Sequence, residues 1–154
     1  MFESSERLEG DIAQILEAIS TATEARYACI VEPTGIRFES EPGWPGRLFL
    51  EARLPRLFVL PGSLEGAGPE QDVFEGWEED EVLIAFLNRR IALVAFCPDA
   101  EGARTVAERP FAALADRLLR WRPALRVDPQ GGGLFFGRPR VDWVVVGAFR
   151  PGAG

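Results

Sequence analysis

The chain has 154 residues, 47% of them apolar and 27% charged, which suffices for one buried core and fits a single domain. Its net charge of −7 argues against a DNA or RNA partner, because binding to phosphates needs a basic face. Histidine is absent, which removes the usual Ser-His and Cys-His pairs and the histidine ligands of metals. We therefore expect a non-enzyme with no cofactor and no metal.

The first residues, MFESSERLEGDI, are acidic and polar, unlike a signal peptide. The longest apolar runs are far shorter than the roughly 20 residues that a membrane-spanning helix needs. These two features predict a cytoplasmic protein with no membrane insertion.

Near the N-terminus, the apolar residues recur with the 3.6-residue period of an amphipathic helix. Ser4 or Ser5 can cap this helix, and a Ser/Thr cluster at 20–23 ends it. The turn chemistry of residues 32–35 then joins a strand at 26–31 to a strand at 36–39. The apolar stripe of the N-terminal helix consists of Leu8, Ile12, Ile15, Leu16 and Ile19.

The middle of the chain, from 41 to 79, gives a mixed pattern. LFLEARL alternates like a strand, whereas Leu50, Leu54 and Leu57 fit a helical stripe interrupted by Pro55 and Pro61, which favours a short or kinked helix. Residues 73–77 suggest a short edge strand. The acidic cluster that follows is more typical of a solvated loop than of a metal site. It comprises Glu75, Glu78, Glu79, Asp80 and Glu81.

Two almost wholly apolar runs, at 82–87 and 91–96, predict neighbouring strands in the middle of a sheet covered on both faces. The tripeptide Asn88-Arg89-Arg90 supplies the turn between them. Cys29 and Cys97 fall within predicted strands, which indicates buried, inert thiols.

A second amphipathic helix follows these strands and ends before Pro123. Its start has two solutions: a capping box formed by Thr105 and Glu108, or Pro110 at the first helical position. Its stripe is Phe111, Leu114, Ala115, Leu118 and Leu119.

Together these elements predict an α/β fold of the α+β sandwich type. We expect a central antiparallel sheet of about five strands, with the N-terminal and C-terminal helices on its faces and a C-terminal β-hairpin extension. The domain would span residues 1–122, the extension residues 123–149, and a disordered tail residues 150–154.

The extension holds candidate partner-binding residues, because Trp, Phe and Arg dominate binding hot spots. Its hairpin joins residues 134–136 to 141–146 through a turn at 137–140. An alternative role for this hairpin is docking on the protein's own sheet edge or at a dimer contact. Arg89 and Arg90 invite comparison with an arginine finger, although a solvated turn is the simpler interpretation. The extension's candidates are Phe135, Phe136, Arg138, Arg140 and Trp143.

The order of elements resembles the Roadblock (dynein light chain) family of longin-like folds, and most of all its bacterial polarity regulators. Three segments carry the resemblance: EARYACIVEPTGIRFES, the FEG that begins at Phe74, and EVLIAFLNRRIALVAFCPD. The resemblance implies a homodimer that binds a Ras-like small GTPase, as regulator or scaffold, and stimulates GTP hydrolysis without a catalytic residue of its own. The prolines of the middle segment depart from the family's dimer helix.

Two other classes of function remain open. A GAF-like sensor module would bind a small molecule in a closed apolar pocket with a few inward polar groups. A structural assembly subunit would have a large apolar dimer face and no GTPase partner.

Overall fold

A computed structural model describes residues 4–58, 73–77, 79–88, 90–123 and 141–147. Five strands form one antiparallel sheet in the order β2-β1-β4-β3-β5, with helices packed against it. This confirms the predicted α+β architecture. In chain order, the elements are α1 Ser5–Ala22, β1 Tyr27–Glu32, β2 Gly35–Glu39, α2 Arg47–Glu51, α3 Leu54–Leu57, β3 Glu81–Asn88, β4 Ile91–Cys97, α4 Ala100–Trp121 and β5 Asp142–Val146.

Helix α1 forms where its periodic stripe predicts. The Ser4 side chain caps it by accepting a hydrogen bond from the backbone N–H of Arg7 at 3.2 Å. The helix ends at Thr23, whose hydroxyl donates to the Ile19 carbonyl at 2.7 Å. The predicted cap and end are both confirmed.

Helix α4 begins a full ten residues before Pro110, so both predicted starts are wrong. Asp99 is its N-cap and accepts from the backbone N–H of Gly102 at 3.1 Å. Pro110 lies inside the helix, where it removes one backbone hydrogen bond at a cost of about 3 kcal/mol. The extra turns bury small side chains against the sheet, and this burial offsets that cost. These side chains are Ala100, Ala103 and Ala107.

Helices α1 and α4 pack against each other on one face of the sheet, here called the helix face. The prediction had placed these two helices on the sheet's faces without pairing them. They meet because each buries a single stripe, and the two stripes share the same aliphatic strand residues. The strand residues on this face include Ala28, Ile30, Leu83, Ala85, Leu93 and Ala95.

The opposite face, here called the aromatic face, is covered by α2, α3 and the turn at 73–77. The prediction of a short or kinked middle helix is confirmed as two short helices, with Pro55 in the first turn of α3. The buried residues of this face include Tyr27, Trp44, Phe74, Val94 and Phe96.

Residues 73–77 do not form the predicted edge strand. They make a helical turn in which Gly76 adopts φ +95°, outside the strand region. Val73 and Phe74 are adjacent, yet both are buried in the same cluster, whereas successive strand residues point to opposite faces. The fifth strand comes from elsewhere in the chain.

That strand is β5, which pairs antiparallel with β3 and follows α4 in the chain. The predicted strand at 141–146 is therefore confirmed as an edge strand. Its predicted hairpin partner at 134–136 lies outside the described residues, as does the tail at 150–154. Strands β3 and β4 each have a neighbour on both sides, as the sequence predicts for central strands.

A buried carboxylate fixes the end of α4 against the sheet. Glu32, only 6% exposed, accepts from Arg37 Nε at 2.5 Å and from Arg122 Nη1 at 2.8 Å. With a guanidinium on each oxygen, this carboxylate is paired as a buried charge must be.

Candidate functional site

The structure describes two of the seven predicted partner-binding residues. Trp143 lies in β5 opposite Ala85, and its ring packs on Phe111 of α4 with centroids 5.4 Å apart. Arg90 is half-buried in the turn between β3 and β4. The structure therefore places Trp143 inward, on the helix face, and leaves Arg90 at the end of the sheet.

The remaining predicted residues lie outside the described ranges. They are Arg89, Phe135, Phe136, Arg138 and Arg140.

Both cysteines are free and buried, as the sequence predicts. Burial raises the pKa of the Cys97 thiol to about 12, with a further contribution from the nearby Asp80 and Glu81. Burial also raises the pKa of Cys29, as does the charge of Glu39. Neither thiol is set up as a nucleophile, because the thiolate is strongly disfavoured.

The acidic loop before β3 is engaged with Arg26. The guanidinium contacts Glu79 at 2.7 Å, and its Nε donates to Asp80 at 3.1 Å. Glu81 accepts instead from the backbone N–H of Ala100, at the start of α4, at 2.9 Å. Among the described residues, no group of three or more Cys, Asp or Glu side chains is arranged to hold a metal ion.

Trp44 organises the loop between β2 and α2. Its indole stacks on the buried Tyr27 ring with centroids 4.4 Å apart and planes 15° apart. Gly46 makes this possible, since a Cβ there would lie 2.2 Å from the indole. Gly43 bends the same loop at φ +91°. The indole is thereby held with 8% of its surface exposed.

A polar network beneath Trp44 ties the loop to the edge of the sheet. The Tyr27 hydroxyl donates to Glu39 at 2.5 Å, and Arg47 Nη1 donates to the other oxygen of Glu39 at 2.9 Å. Burial is the main cause that raises the pKa of Tyr27 far above its ordinary value. The arrangement keeps Tyr27 protonated as a donor and makes Glu39 a structural acceptor.

Beyond Trp44 the aromatic residues reach the surface. The half-buried Trp77 lies 5.3 Å from Trp44 and 5.1 Å from Phe49, between ring centroids. The Arg53 guanidinium covers the outer side of Phe49 at 3.6 Å from the ring centroid. Leu48, which precedes Phe49 in α2, is 75% exposed, an unusual position for a large apolar side chain. We call Trp44, Leu48, Phe49, Arg53 and Trp77 the aromatic surface.

An open cleft of about 370 Å³ adjoins this surface on the Trp44 side. Its lining combines one aromatic residue, two prolines and two opposite charges. The lining residues are Arg26, Glu41, Pro42, Gly43, Trp44 and Pro45.

Sequence reasoning missed the aromatic surface. Its signal was the segment EPGWPG, in which two prolines and two glycines surround a single tryptophan, just before the helical stripe. Such a segment suggests a loop, and an exposed or buried tryptophan would suit it equally well. Only the contact with Tyr27, which comes from a distant strand, shows how the indole is held.

Comparison of the chain with family models, curated proteins and solved structures gave no match. Among the described helices, none is both long and apolar enough to cross a membrane. Function must therefore be argued from the geometry of the aromatic surface and its cleft.

Proposed function

We propose that this protein is a non-catalytic binding module that docks another protein through the aromatic surface. The observation that carries the proposal is a pair of adjacent residues in α2: Leu48, which is 75% exposed, and Phe49, whose half-buried ring contacts Trp77. A cluster of aromatic residues with a stacked arginine has the composition of an interface hot spot. The other large, strongly exposed apolar residue of the described chain, Val106, lies on α4 and is 47% exposed.

Several contacts support a role without catalysis. Glu39, the carboxylate of the polar network beneath Trp44, accepts hydrogen bonds from Tyr27 and Arg47. The thiols of Cys29 and Cys97 are buried with raised pKa values, far from the protonation state that a nucleophile needs. Binding, rather than bond-making, suits such an arrangement.

For the partner we propose a Ras-like small GTPase, bound by a homodimer of this protein acting as regulator or scaffold in the cytoplasm. This finer part of the proposal rests on the resemblance of the element order to the Roadblock family. What supports it is that α2 and α3 lie between β2 and β3 along the chain, as the middle helix does in the predicted element order.

The test is single-turnover GTP hydrolysis by the Ras-like GTPase of the source organism, with and without this protein, together with a direct binding measurement. An acceleration of at least tenfold, equivalent to about 1.4 kcal/mol of barrier, is expected for a regulator. Binding without acceleration would indicate a scaffold. Sedimentation of the free protein checks the proposed dimer.

The variant Leu48→Glu is expected to weaken binding at least tenfold, because it places a charge in the centre of the apolar contact. Val106→Glu is the matched control, since it makes the same kind of change on α4 and should leave binding unaltered. Equal binding by both variants would reject the aromatic surface as the docking site. Absence of binding by the wild-type protein would reject the GTPase partner.

A further inference from the structure

The cleft beside Trp44 carries an excess of negative charge. Glu41 lies in its lining, and Glu79 and Asp80 reach it through their contacts with Arg26. In and around the lining, three carboxylates thus stand against one guanidinium, which is paired with two of them. A ligand entering here therefore meets a negative potential, which favours a cation.

The apolar part of the cleft suits the stem of a long basic side chain. Pro42, Trp44 and Pro45 supply the apolar part of its lining. Arginine and lysine bury their methylene stems along such surfaces while their charged ends stay near water.

Arg26 shows that the acidic loop accepts a guanidinium in this place. Its side chain is 45% exposed, and Glu79 is 66% exposed, so this ion pair is screened by solvent and contributes little to stability. Glu79 can therefore accept from an incoming arginine, while Arg26 keeps Asp80, which is only 12% exposed and accepts from both its Nε and its Nη2. Glu41 offers a further carboxylate at the same mouth.

From these contacts we propose that the cleft beside Trp44 binds an extended, positively charged segment of the partner protein, with an arginine side chain seated between Pro42 and Pro45. This deepens the proposed function and rests on it for the identity of the partner. Charge complementarity with the carboxylates of the cleft favours a basic occupant. The aromatic surface, which adjoins the cleft, then contacts apolar residues of the same partner.

The test uses the full-length protein and a blocked hexapeptide of alternating arginine and proline, with the glutamate–proline hexapeptide as control. Binding is followed by tryptophan fluorescence and calorimetry at low salt and at high salt. We expect the arginine peptide to bind, to weaken at high salt, and to be preferred at least tenfold over the glutamate peptide.

The variant Glu41→Gln should weaken the arginine peptide about 2- to 5-fold, the range of one exposed ion pair, and combining it with Glu79→Gln should weaken it further. Glu17→Gln on the exposed side of α1 is the matched control and should bind as the wild type does. Lack of peptide binding, or equal binding by the cleft variants and the control, would overturn the proposal.

Two further outcomes separate this inference from the proposed function. Peptide binding that depends on Glu41, without binding of the GTPase, would keep the basic-segment site and reject the GTPase partner. GTPase binding that depends on Leu48 but not on Glu41 would keep the docking surface and reject the cleft. Preference for the glutamate peptide would show that Arg26, rather than the acidic loop, selects the ligand and would also reject the proposal.

Discussion

The two faces of the sheet bury their apolar strand residues under different kinds of cover. The helix face buries aliphatic strand residues under two long helices of 18 and 22 residues. The aromatic face buries Tyr27 and Phe96 under two short helices and two loops, with tryptophan rings filling the space between them. The helix layer exposes Val106 of α4, whereas the second face leaves Leu48 and parts of Phe49 and Trp77 in contact with water.

This difference in cover indicates which face of the sheet can carry an exposed binding surface while its core stays packed. Two long helices satisfy most of their own backbone groups and bury the central strand residues of the helix face. Short helices cannot do this, so the aromatic face depends on large rings and on the Tyr27–Glu39–Arg47 network for its order. The same rings that hold this face together also supply its exposed apolar surface.

The largest expected effect compares two core residues of β4 that point to opposite faces. Phe96→Ala should cost about 3–5 kcal/mol of unfolding free energy, because four aromatic neighbours lose their contact with the ring. Leu93→Ala on the helix face should cost about 2–5 kcal/mol. Urea unfolding measures both. A cost below about 1 kcal/mol for Phe96→Ala would show that the aromatic face is not a packed core.

The next comparison makes one substitution in a helix of each face. Pro110→Ala should raise the unfolding free energy by about 1–3 kcal/mol, because it restores a hydrogen bond inside α4. Pro55→Ala should lower it by about 0.4–1 kcal/mol, because proline is preorganised for the first turn of α3. Thermal unfolding of both variants checks the opposite signs. Equal signs would contradict the assigned helix positions.

The dependence of the unfolding free energy on alkaline pH compares the buried thiols of the two faces, Cys97 on the helix face and Cys29 on the aromatic face. In the unfolded chain a cysteine loses its proton near pH 8.5–9, whereas folded Cys97 keeps it until about pH 12. Stability from this group is therefore complete below the unfolded pKa and falls between about pH 9 and 12, by about 1.4 kcal/mol per pH unit. Cys97→Ala and Cys29→Ala should each reduce the pH slope in urea unfolding. An unchanged slope in either variant would mean that its thiol is not excluded from water.

The smallest effect concerns the exposed apolar residues. Leu48→Glu and Val106→Glu should each change the unfolding free energy by less than about 0.5 kcal/mol, since neither side chain lies in the core. The urea midpoints of the two variants provide the measurement. A loss above about 1 kcal/mol for Leu48→Glu would show that this leucine is part of the fold and would remove it from the docking surface.

The sequence predicted those parts of the fold that depend on local periodicity. The stripe of α1 and the two apolar runs of the central hairpin are local signals, and the structure confirms them. The start of α4 was missed because its first buried residues are alanines, which add little to a hydrophobic pattern. Pro110 suggested a helix start at its own position, but tertiary packing outweighed this local preference.

The aromatic surface was beyond such reasoning because long-range contacts create it. Trp44 is positioned by Tyr27 and Gly46, and Trp77 by Trp44 and Phe49. No local period relates these residues. The likeness to the Roadblock family, and with it the GTPase partner, stays a prediction that the measurements above address.

The pairing of β5 with β3 has a consequence for how the protein is made. Strand β3 emerges from the ribosome long before residues 142–146, with β4 following it on one side. Until those residues appear, the other edge of β3 has no strand partner, and an open edge of apolar residues invites pairing with other chains. Synthesis interrupted after α4 would therefore leave a nascent chain with an unfinished sheet, which we expect to need a chaperone or to be degraded.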